Sequence, residues 1–184
     1  MYGADEGNAH VGNFRSFLNH NVQGFNGSIA SGVGSVMCSY SGINWLPMAL
    51  SPFLLNTLRK ELNFDGFIIS DYDQLTRIKE QKLPTSFQTM DDANQTTSSV
   101  LNAGIDMVMI PDKSDYLDYI DAVKFSIENK TLSTARLNDA VARILSVKMA
   151  LGLVKGSSEN IREEPPAEVP SSSTEYEDSL QAVH

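Results

Sequence analysis

The sequence has little cysteine, little histidine and no long apolar run, and each shortage excludes a class of protein. Cys38 is the only cysteine in 184 residues, so neither an intrachain disulfide nor a cysteine metal cluster can form. The three histidines lie far apart, without the spacing of metal ligands. No stretch approaches the roughly 18 apolar residues of a membrane-spanning helix. We therefore expect no metal, no other cofactor and no membrane partner.

Basic residues are also scarce. The chain has 14 lysines and arginines against 23 acidic residues, a formal net charge of −9. Such a surface repels phosphate backbones, which excludes nucleic acid as a partner. No glycine-rich phosphate-binding loop with a lysine is present, and Gly32-Val33-Gly34 predicts a turn leading into a strand.

Short apolar runs alternate with helical patterns along the chain. The runs at 35–40 and 66–71 end in polar residues and the run at 105–110 ends at Pro111-Asp112, which is typical of strands buried on both faces. Strands that alternate with helices predict βα units and a parallel sheet. The helices are predicted at 52–62 after Ser51, from Thr89 or Asp91 to about Asn102 before Gly104, at 115–128 after Ser114, and at 134–150 between Ser133 and Gly152.

Two of the helical patterns carry further expectations. The pattern at 134–150 places Leu137, Val141, Ile144, Leu145 and Met149 on one face, which predicts that this face packs over strand 105–110. Residues 19–31 predict only a weak helix, because two glycines interrupt the pattern.

Asp71 ends the second apolar run abruptly. Burying an unpaired carboxylate costs several kcal/mol, so Asp71 should lie at the strand's exit and face a cleft. In parallel α/β folds this end of the strand carries the chemistry, which makes Asp71 a candidate nucleophile or general base. An aspartate after a strand can equally cap the next helix or close a turn, and its position alone does not separate the two interpretations.

A series of motifs in fixed order resembles glycoside hydrolase family 3, the β-glucosidases and exo-β-glucanases. The specific motif is Gly66-Phe67-Ile68-Ile69-Ser70-Asp71, and the resemblance extends over about residues 18–153. The accompanying motifs are Val36-Met37-Cys38-Ser39-Tyr40, Pro52-Phe53-Leu54-Leu55, Leu58-Arg59-Lys60-Glu61-Leu62, Ala103-Gly104-Ile105-Asp106-Met107, Arg136-Leu137-Asn138-Asp139-Ala140-Val141 and Arg143-Ile144-Leu145.

The resemblance implies a role for five residues. Asp71 corresponds to the family's catalytic nucleophile, and Met37 and Tyr40 to residues that line the subsite for the non-reducing sugar. Tyr72 replaces the usual tryptophan of the aglycone wall, and Arg77 corresponds to an arginine that contacts the aglycone sugar. The implied mechanism retains configuration, with two carboxyl groups about 5–5.5 Å apart. Tyr40 has a simpler interpretation as a side chain that packs under a loop.

The resemblance also implies that much of the family's machinery lies elsewhere. A complete (β/α)₈ barrel has eight βα units in about 250 residues, and this sequence predicts about the last three of them. The family's upstream sugar ligands have no counterpart here, and the acid/base glutamate of plant-type members belongs to a second α/β domain. We therefore expect a partial TIM barrel over residues 1–155, completed by missing barrel and second-domain segments.

The last residues have a different composition. Residues 159–178 contain seven acidic residues and one basic residue, together with three prolines and three consecutive serines. This composition predicts a disordered acidic tail over residues 156–184, either a linker to the next domain or a solvated segment for interactions.

The expected function is hydrolysis of terminal non-reducing β-D-glucosyl residues of β-glucosides or β-glucans, incomplete in this chain. Two alternatives stay open: a catalytically inactive carbohydrate- or partner-binding remnant, and a segment with no function apart from the rest of its barrel. Three glycosylation patterns, at Asn26, Asn94 and Asn129, favour a parent protein that is secreted or lysosomal/vacuolar.

Overall fold

The computed structural model describes residues 7–80 and 92–154. The predicted acidic tail at 156–184 lies outside these residues. The strands are β1 (Asn8–Ala9), β2 (Ser35–Met37), β3 (Gly42–Ile43), β4 (Leu46–Pro47) and β5 (Phe67–Ile69). The helices are α1 (Phe14–Asn21), α2 (Gln23–Ala30), α3 (Pro52–Asn56, continued by a π-helical turn over Thr57–Glu61), α4 (Gln74–Glu80), α5 (Ala93–Ala103), α6 (Lys113–Glu128) and α7 (Thr134–Ala150).

Two of the three predicted strands form a parallel pair. β2 and β5 lie side by side, with Val36 opposite Ile68 and Met37 opposite Ile69. Helix α3 connects them, as expected of a βα unit, and Ile68 is fully buried at the centre of the pair. The chain is therefore a mixed α/β structure with a parallel strand pair at its centre.

The third predicted strand, 105–110, is wrong as a regular strand. It forms a single parallel bridge, between Ile69 and Met107. The physical reason is that side chains take the place of some of the backbone hydrogen bonds of a regular ladder. The Ile68 N–H donates to the Asp106 carboxylate at 2.8 Å, and the Met109 N–H donates to the Ser70 hydroxyl at 2.8 Å. The segment still runs beside β5, because the Ser70 N–H donates to the Met107 carbonyl at 2.9 Å.

A small second sheet was not predicted from the sequence. β3 and β4 form an antiparallel hairpin, and β1 pairs in parallel with β3. Each of these strands has only two residues, which is too short for the alternation that identifies a strand in a sequence.

The hydrophobic core lies where helices α3, α4 and α5 pack on β5. Leu55, Ile78, Val100 and Ile105 are each at most 2% exposed there. Gly66 allows the close approach of the chain at this point, since a Cβ there would overlap the Gly34 carbonyl oxygen and the Phe64 ring.

The helix boundaries agree with the sequence prediction in part. Ser133 caps α7 as expected, accepting a hydrogen bond from the Arg136 N–H at 3.1 Å. α5 is capped by Asp92, one residue after the nearer predicted position. α6 begins at Lys113, so Ser114 is not its cap. The predicted helix at 19–31 is divided into α1 and α2 at Val22, and α4 was not predicted.

The predicted packing face of α7 is correct only in part, since Leu137 and Ile144 are half-buried and its other three members are exposed. Val141, Leu145 and Met149 are between 44% and 45% exposed, whereas Ala140 is 2% exposed. The helix turns a different face towards β5 and α5, formed by Arg136, Ala140, Arg143 and Val147 at helical spacing. The two arginines donate hydrogen bonds to backbone carbonyls, and these bonds set which face of α7 turns inward. The pattern of apolar residues in the sequence contains no information about such bonds.

Within residues 7–80 and 92–154, none of the helices has the length and apolar content to span a bilayer.

Candidate active site

Asp71 follows β5 at its carboxyl end and is half-buried. Its carboxylate accepts a hydrogen bond from the Tyr72 N–H at 2.8 Å, and its own N–H donates to the Gln74 side chain at 3.0 Å. The carboxylate thus closes a turn and also stands at the strand's exit. The two sequence interpretations of Asp71 are compatible in this geometry.

Tyr40 belongs to the neighbouring strand exit, after β2. Its hydroxyl donates to the Tyr72 carbonyl oxygen, and the Arg77 guanidinium lies over its ring, 4.2 Å from the centroid. Burial, and next the negative charge of Asp71, raise the pKa of the Tyr40 hydroxyl. Tyr40 therefore does more than pack under a loop, since it connects β2's exit to the turn that carries Asp71 and Tyr72.

Met37 and Tyr72 expose their side chains. Met37 is the last residue of β2, opposite Ile69, and both Met37 and Tyr72 are 56% exposed. The structure therefore brings Asp71, Tyr40, Tyr72 and Arg77 together by direct contacts. Met37 joins them through strand pairing alone.

Gln74 was missed by sequence reasoning, although it supports the turn. It is 2% exposed at the first position of α4. Its amide nitrogen donates to the Ser39 carbonyl at 3.1 Å, while its amide oxygen accepts from the Asp71 N–H. Gln74 thereby joins the exits of β2 and β5. Nothing in a single polar residue after a turn distinguishes this role in the sequence.

Ser70 completes the support from the other side. Its hydroxyl is fully buried, donates to the Asp71 carbonyl at 2.8 Å and accepts from the Met109 N–H at 2.8 Å. The residue that carries the candidate nucleophile is thus held by both neighbouring segments of the sheet.

Asp106 is a second carboxylate, but it serves the fold. Its side chain is fully buried and forms ion pairs with Arg59 and with Arg136, the latter at 2.8 Å. It also accepts the Ile68 N–H within β5. A buried carboxylate needs such partners. The only indication of this buried role in the sequence is that Asp106 lies inside an apolar run.

A cavity of about 300 Å³ lies beyond the turn, between α4, α5 and α6. Asp73, Lys79 and Tyr119 contribute polar groups to its lining, and burial raises the pKa of Tyr119 to about 12. The described lining contains none of the five predicted site residues. Among the same described residues, no group of three potential metal ligands is found.

The profile of the family described as "Glycosyl hydrolase family 3 N terminal domain" matches residues 5–147. The chain belongs to glycoside hydrolase family 3. This confirms the resemblance deduced from the Gly66–Asp71 motif, and the match covers every residue of the strand exits described above.

The individual relatives are long glycosidases. The chain is 32% identical over 124 residues to the lysosomal beta glucosidase of Dictyostelium discoideum, covering 67% of this chain and 14% of that protein. It is 31% identical over 136 residues to a beta-xylosidase of Formosa agariphila, covering 71% and 18%. The structure resembles a Listeria innocua beta-glucosidase in complex with glucose, with a TM-score of 0.66 and 26% identity, over 82% and 19% of the two chains. The chain therefore spans less than a fifth of the length of each of these proteins.

Proposed function

We propose that this chain carries the nucleophile side of a retaining glycosidase site for terminal non-reducing β-D-glucosyl residues. The observation that carries the proposal is Asp71 at the exit of β5, inside the family match and supported on both sides by Gln74 and Ser70. Family membership supports glycoside hydrolysis in general, and the site residues supply the finer roles.

The proposed reaction has two displacements. A carboxylate oxygen of Asp71 attacks the anomeric carbon, the bond to the leaving oxygen breaks, and a glycosyl ester forms with inverted configuration. Water then attacks the same carbon and releases Asp71, so that the net result is retention. The carboxylic acid that protonates the leaving oxygen and activates the water would come from the second domain expected from the family resemblance.

The remaining predicted residues would hold the sugar. Met37 and Tyr40 would line the subsite of the terminal unit, and Tyr72 would offer an aromatic face to the aglycone. Arg77 would contact the aglycone sugar, and its contact with the Tyr40 ring would also keep that ring in place.

The fold proposal follows from the same logic. We infer that residues 1–155 form the last part of a (β/α)₈ barrel, followed by an acidic tail over 156–184. The parallel order β2, β5 and segment 105–109, with α3 and then α4 and α5 between them, supports this. The relatives include a lysosomal enzyme, which is consistent with the proposal of a secreted or lysosomal parent.

An inactive carbohydrate-binding remnant is the second candidate. The observation that favours it is the exposure of Tyr72, which could bind a sugar face without catalysis. The two candidates differ in one respect, namely whether Asp71 forms a covalent bond to the sugar.

Mechanism-based labelling tests the proposal. The dinitrophenyl 2-deoxy-2-fluoro-β-glucoside needs little acid assistance, so it should label Asp71 slowly in the full chain, or in the chain reconstituted with the rest of its barrel. Peptide mass spectrometry would locate the adduct. The matching 2-deoxy-2-fluoro-β-xyloside, used in parallel, would separate glucosyl from xylosyl preference.

Asp71→Asn is the matched control and should abolish labelling without loss of fold. An active reconstituted enzyme that becomes labelled at another residue, with Asp71 unmodified, would overturn the assignment. Binding of methyl β-glucoside without any labelling would favour the remnant instead.

A further inference from the structure

Trp45 has a backbone conformation that disfavours a bulky side chain. Asn44 and Trp45 form the two-residue loop of the β3–β4 hairpin, with φ angles of 51° and 68°. Two positive φ angles in such a loop define a type I′ turn, for which Asn-Gly is the preferred pair. Asparagine suits the first position, whereas a tryptophan at the second position is an outlier.

Burial of the indole does not offset this strain, because the side chain is largely exposed. Trp45 is 65% exposed, and the Trp45 and His10 rings form an edge-to-face pair with their centroids 5.4 Å apart. Backbone strain that brings no gain in folding stability indicates that the residue has a functional role.

The hairpin is nevertheless held firmly. The Trp45 N–H donates to the Asn8 side chain at 2.6 Å. The Asn44 side chain accepts from the Val11 N–H at 2.9 Å and donates to the Val11 carbonyl at 3.2 Å. These bonds hold the hairpin backbone in place, so the segment that carries the indole loses little freedom when a ligand binds.

The hairpin lies at the same end of the sheet as Asp71. β2 and β5 are parallel, so their exits lie side by side. The hairpin begins at Gly42, two residues after Tyr40, and Tyr40 in turn bonds the turn next to Asp71. Tyr40 also contacts Arg77, which the proposed function places at the aglycone sugar, so the hairpin continues from the side of the site where later units of a sugar chain would lie.

We propose that Trp45, supported by His10, is a stacking platform for a glucosyl unit beyond the terminal unit of a β-linked glucan. This rests on the proposed function, in which Asp71 receives the terminal unit. The C–H groups on one face of a β-glucosyl ring match a flat aromatic surface, and the indole is the largest such surface in the chain.

The test uses Trp45 itself as the probe, because it is the only tryptophan of the chain. The full chain is titrated with cellotriose, laminaritriose and methyl β-glucoside while indole emission is recorded. At least one trisaccharide should shift the emission to shorter wavelength with saturation, and methyl β-glucoside should not. Equal responses to the trisaccharides and to the monosaccharide, or no response at all, would overturn the proposal.

Trp45→Gly gives the matched variant, since glycine suits this turn and the thermal midpoint should not fall. By saturation-transfer NMR, trisaccharide affinity should drop about three- to tenfold, the size expected of one aromatic contact. Trp45→Phe should lose less. Methyl β-glucoside binding should stay the same, and a loss of both affinities would contradict a separate platform.

Asp71→Asn separates this inference from the proposed function. It should abolish covalent labelling and leave the emission response intact. Labelling of Asp71 without any emission response would overturn the platform alone, whereas an emission response without labelling would support the platform and count against the nucleophile. Emission that depends on protein concentration without sugar would assign the indole to self-association and overturn the proposal.

Discussion

At the scale of single residues, Asp106 shows how a buried charge controls the site without entering it. It forms ion pairs with Arg59 and Arg136 and accepts the Ile68 N–H, and Ile68 lies three residues before Asp71. The arginines in turn bond the carbonyls of Gly66 and Ile105. The backbone that carries the candidate nucleophile therefore depends on one carboxylate.

We expect Asp106→Asn to lower the free energy of unfolding by about 3–5 kcal/mol, because two arginines lose their buried counter-charge. Urea denaturation monitored by circular dichroism would measure it. Asp121→Asn is the control, since Asp121 pairs with Lys124 at the surface and should change stability by less than about 0.5 kcal/mol. Equal effects of the two variants would refute the buried network.

Cys38 is buried next to the site, and its chemistry follows from that burial. Burial, with a smaller contribution from the charge of Asp71, raises the pKa of the Cys38 thiol to about 12, although the hydrogen bond with Gln74 acts to lower it. The unfolded chain should titrate near pH 8.5. The folded state keeps the thiol protonated to a higher pH than the unfolded state does. Its contribution to the free energy of unfolding is therefore fully present below the unfolded pKa and is lost as the pH rises from there towards 12.

Iodoacetamide at pH 8 should consequently modify the folded chain at least about 100-fold more slowly than the chain in urea, since only the thiolate reacts. Cys38 is the sole cysteine, so mass spectrometry of the intact chain gives the rate directly. Comparable rates in both states would mean that the thiol is accessible and that the β2 exit opens readily.

At the scale of elements, the two serines near helix starts provide a paired test. Ser133 caps α7 through the Arg136 N–H, whereas Ser114 lies inside α6 and bonds only the adjacent Asp115 in the described contacts. Ser133→Ala should cost about 1 kcal/mol of stability. Ser114→Ala should cost clearly less, and thermal unfolding of both variants would check the difference. A larger loss for Ser114→Ala would place the start of α6 at the residue that the sequence predicted.

Helix α7 also shows that an amphipathic pattern does not decide which way a helix faces. Leu145 and Met149 belong to its apolar stripe but are exposed, because Arg136 and Arg143 bond carbonyls near the sheet and turn that stripe outward. A stripe of this kind would be covered by further helices in a complete barrel, in line with the proposed fold.

At the scale of the whole molecule, we expect the isolated chain to be marginally stable. Large apolar side chains are exposed on several elements, including Phe25, Met37, Phe53 and Leu145. β2 has β5 as its only strand neighbour in the described sheet, so its other edge can pair with another chain.

Size-exclusion chromatography over a range of concentrations and calorimetry would test this. We expect concentration-dependent association and a broad transition. A monomer with a sharp, cooperative transition would instead show a self-sufficient domain, which would favour the remnant interpretation of the function.

Local chemistry was sufficient for several predictions. The run from Gly66 to Ser70 is apolar and ends in Asp71, so both a buried strand and a polar exit follow from the cost of burying a carboxylate. Ser133 and Gly152 bound α7 because caps depend on one or two adjacent residues. The family motif likewise consists of consecutive residues, so the sequence alone is enough to identify it.

The sequence by itself thus determined the family, the α/β class and the position of Asp71 after a strand. The tertiary structure decided which side chains meet across long separations: Tyr40 with Arg77, Gln74 with Ser39, and Asp106 with Arg59 and Arg136. It also decided that segment 105–110 pairs with β5 partly through side chains and that Trp45 has positive φ. The reason is that cap, turn and burial preferences act between neighbours, whereas these contacts join segments that only the folded chain brings together.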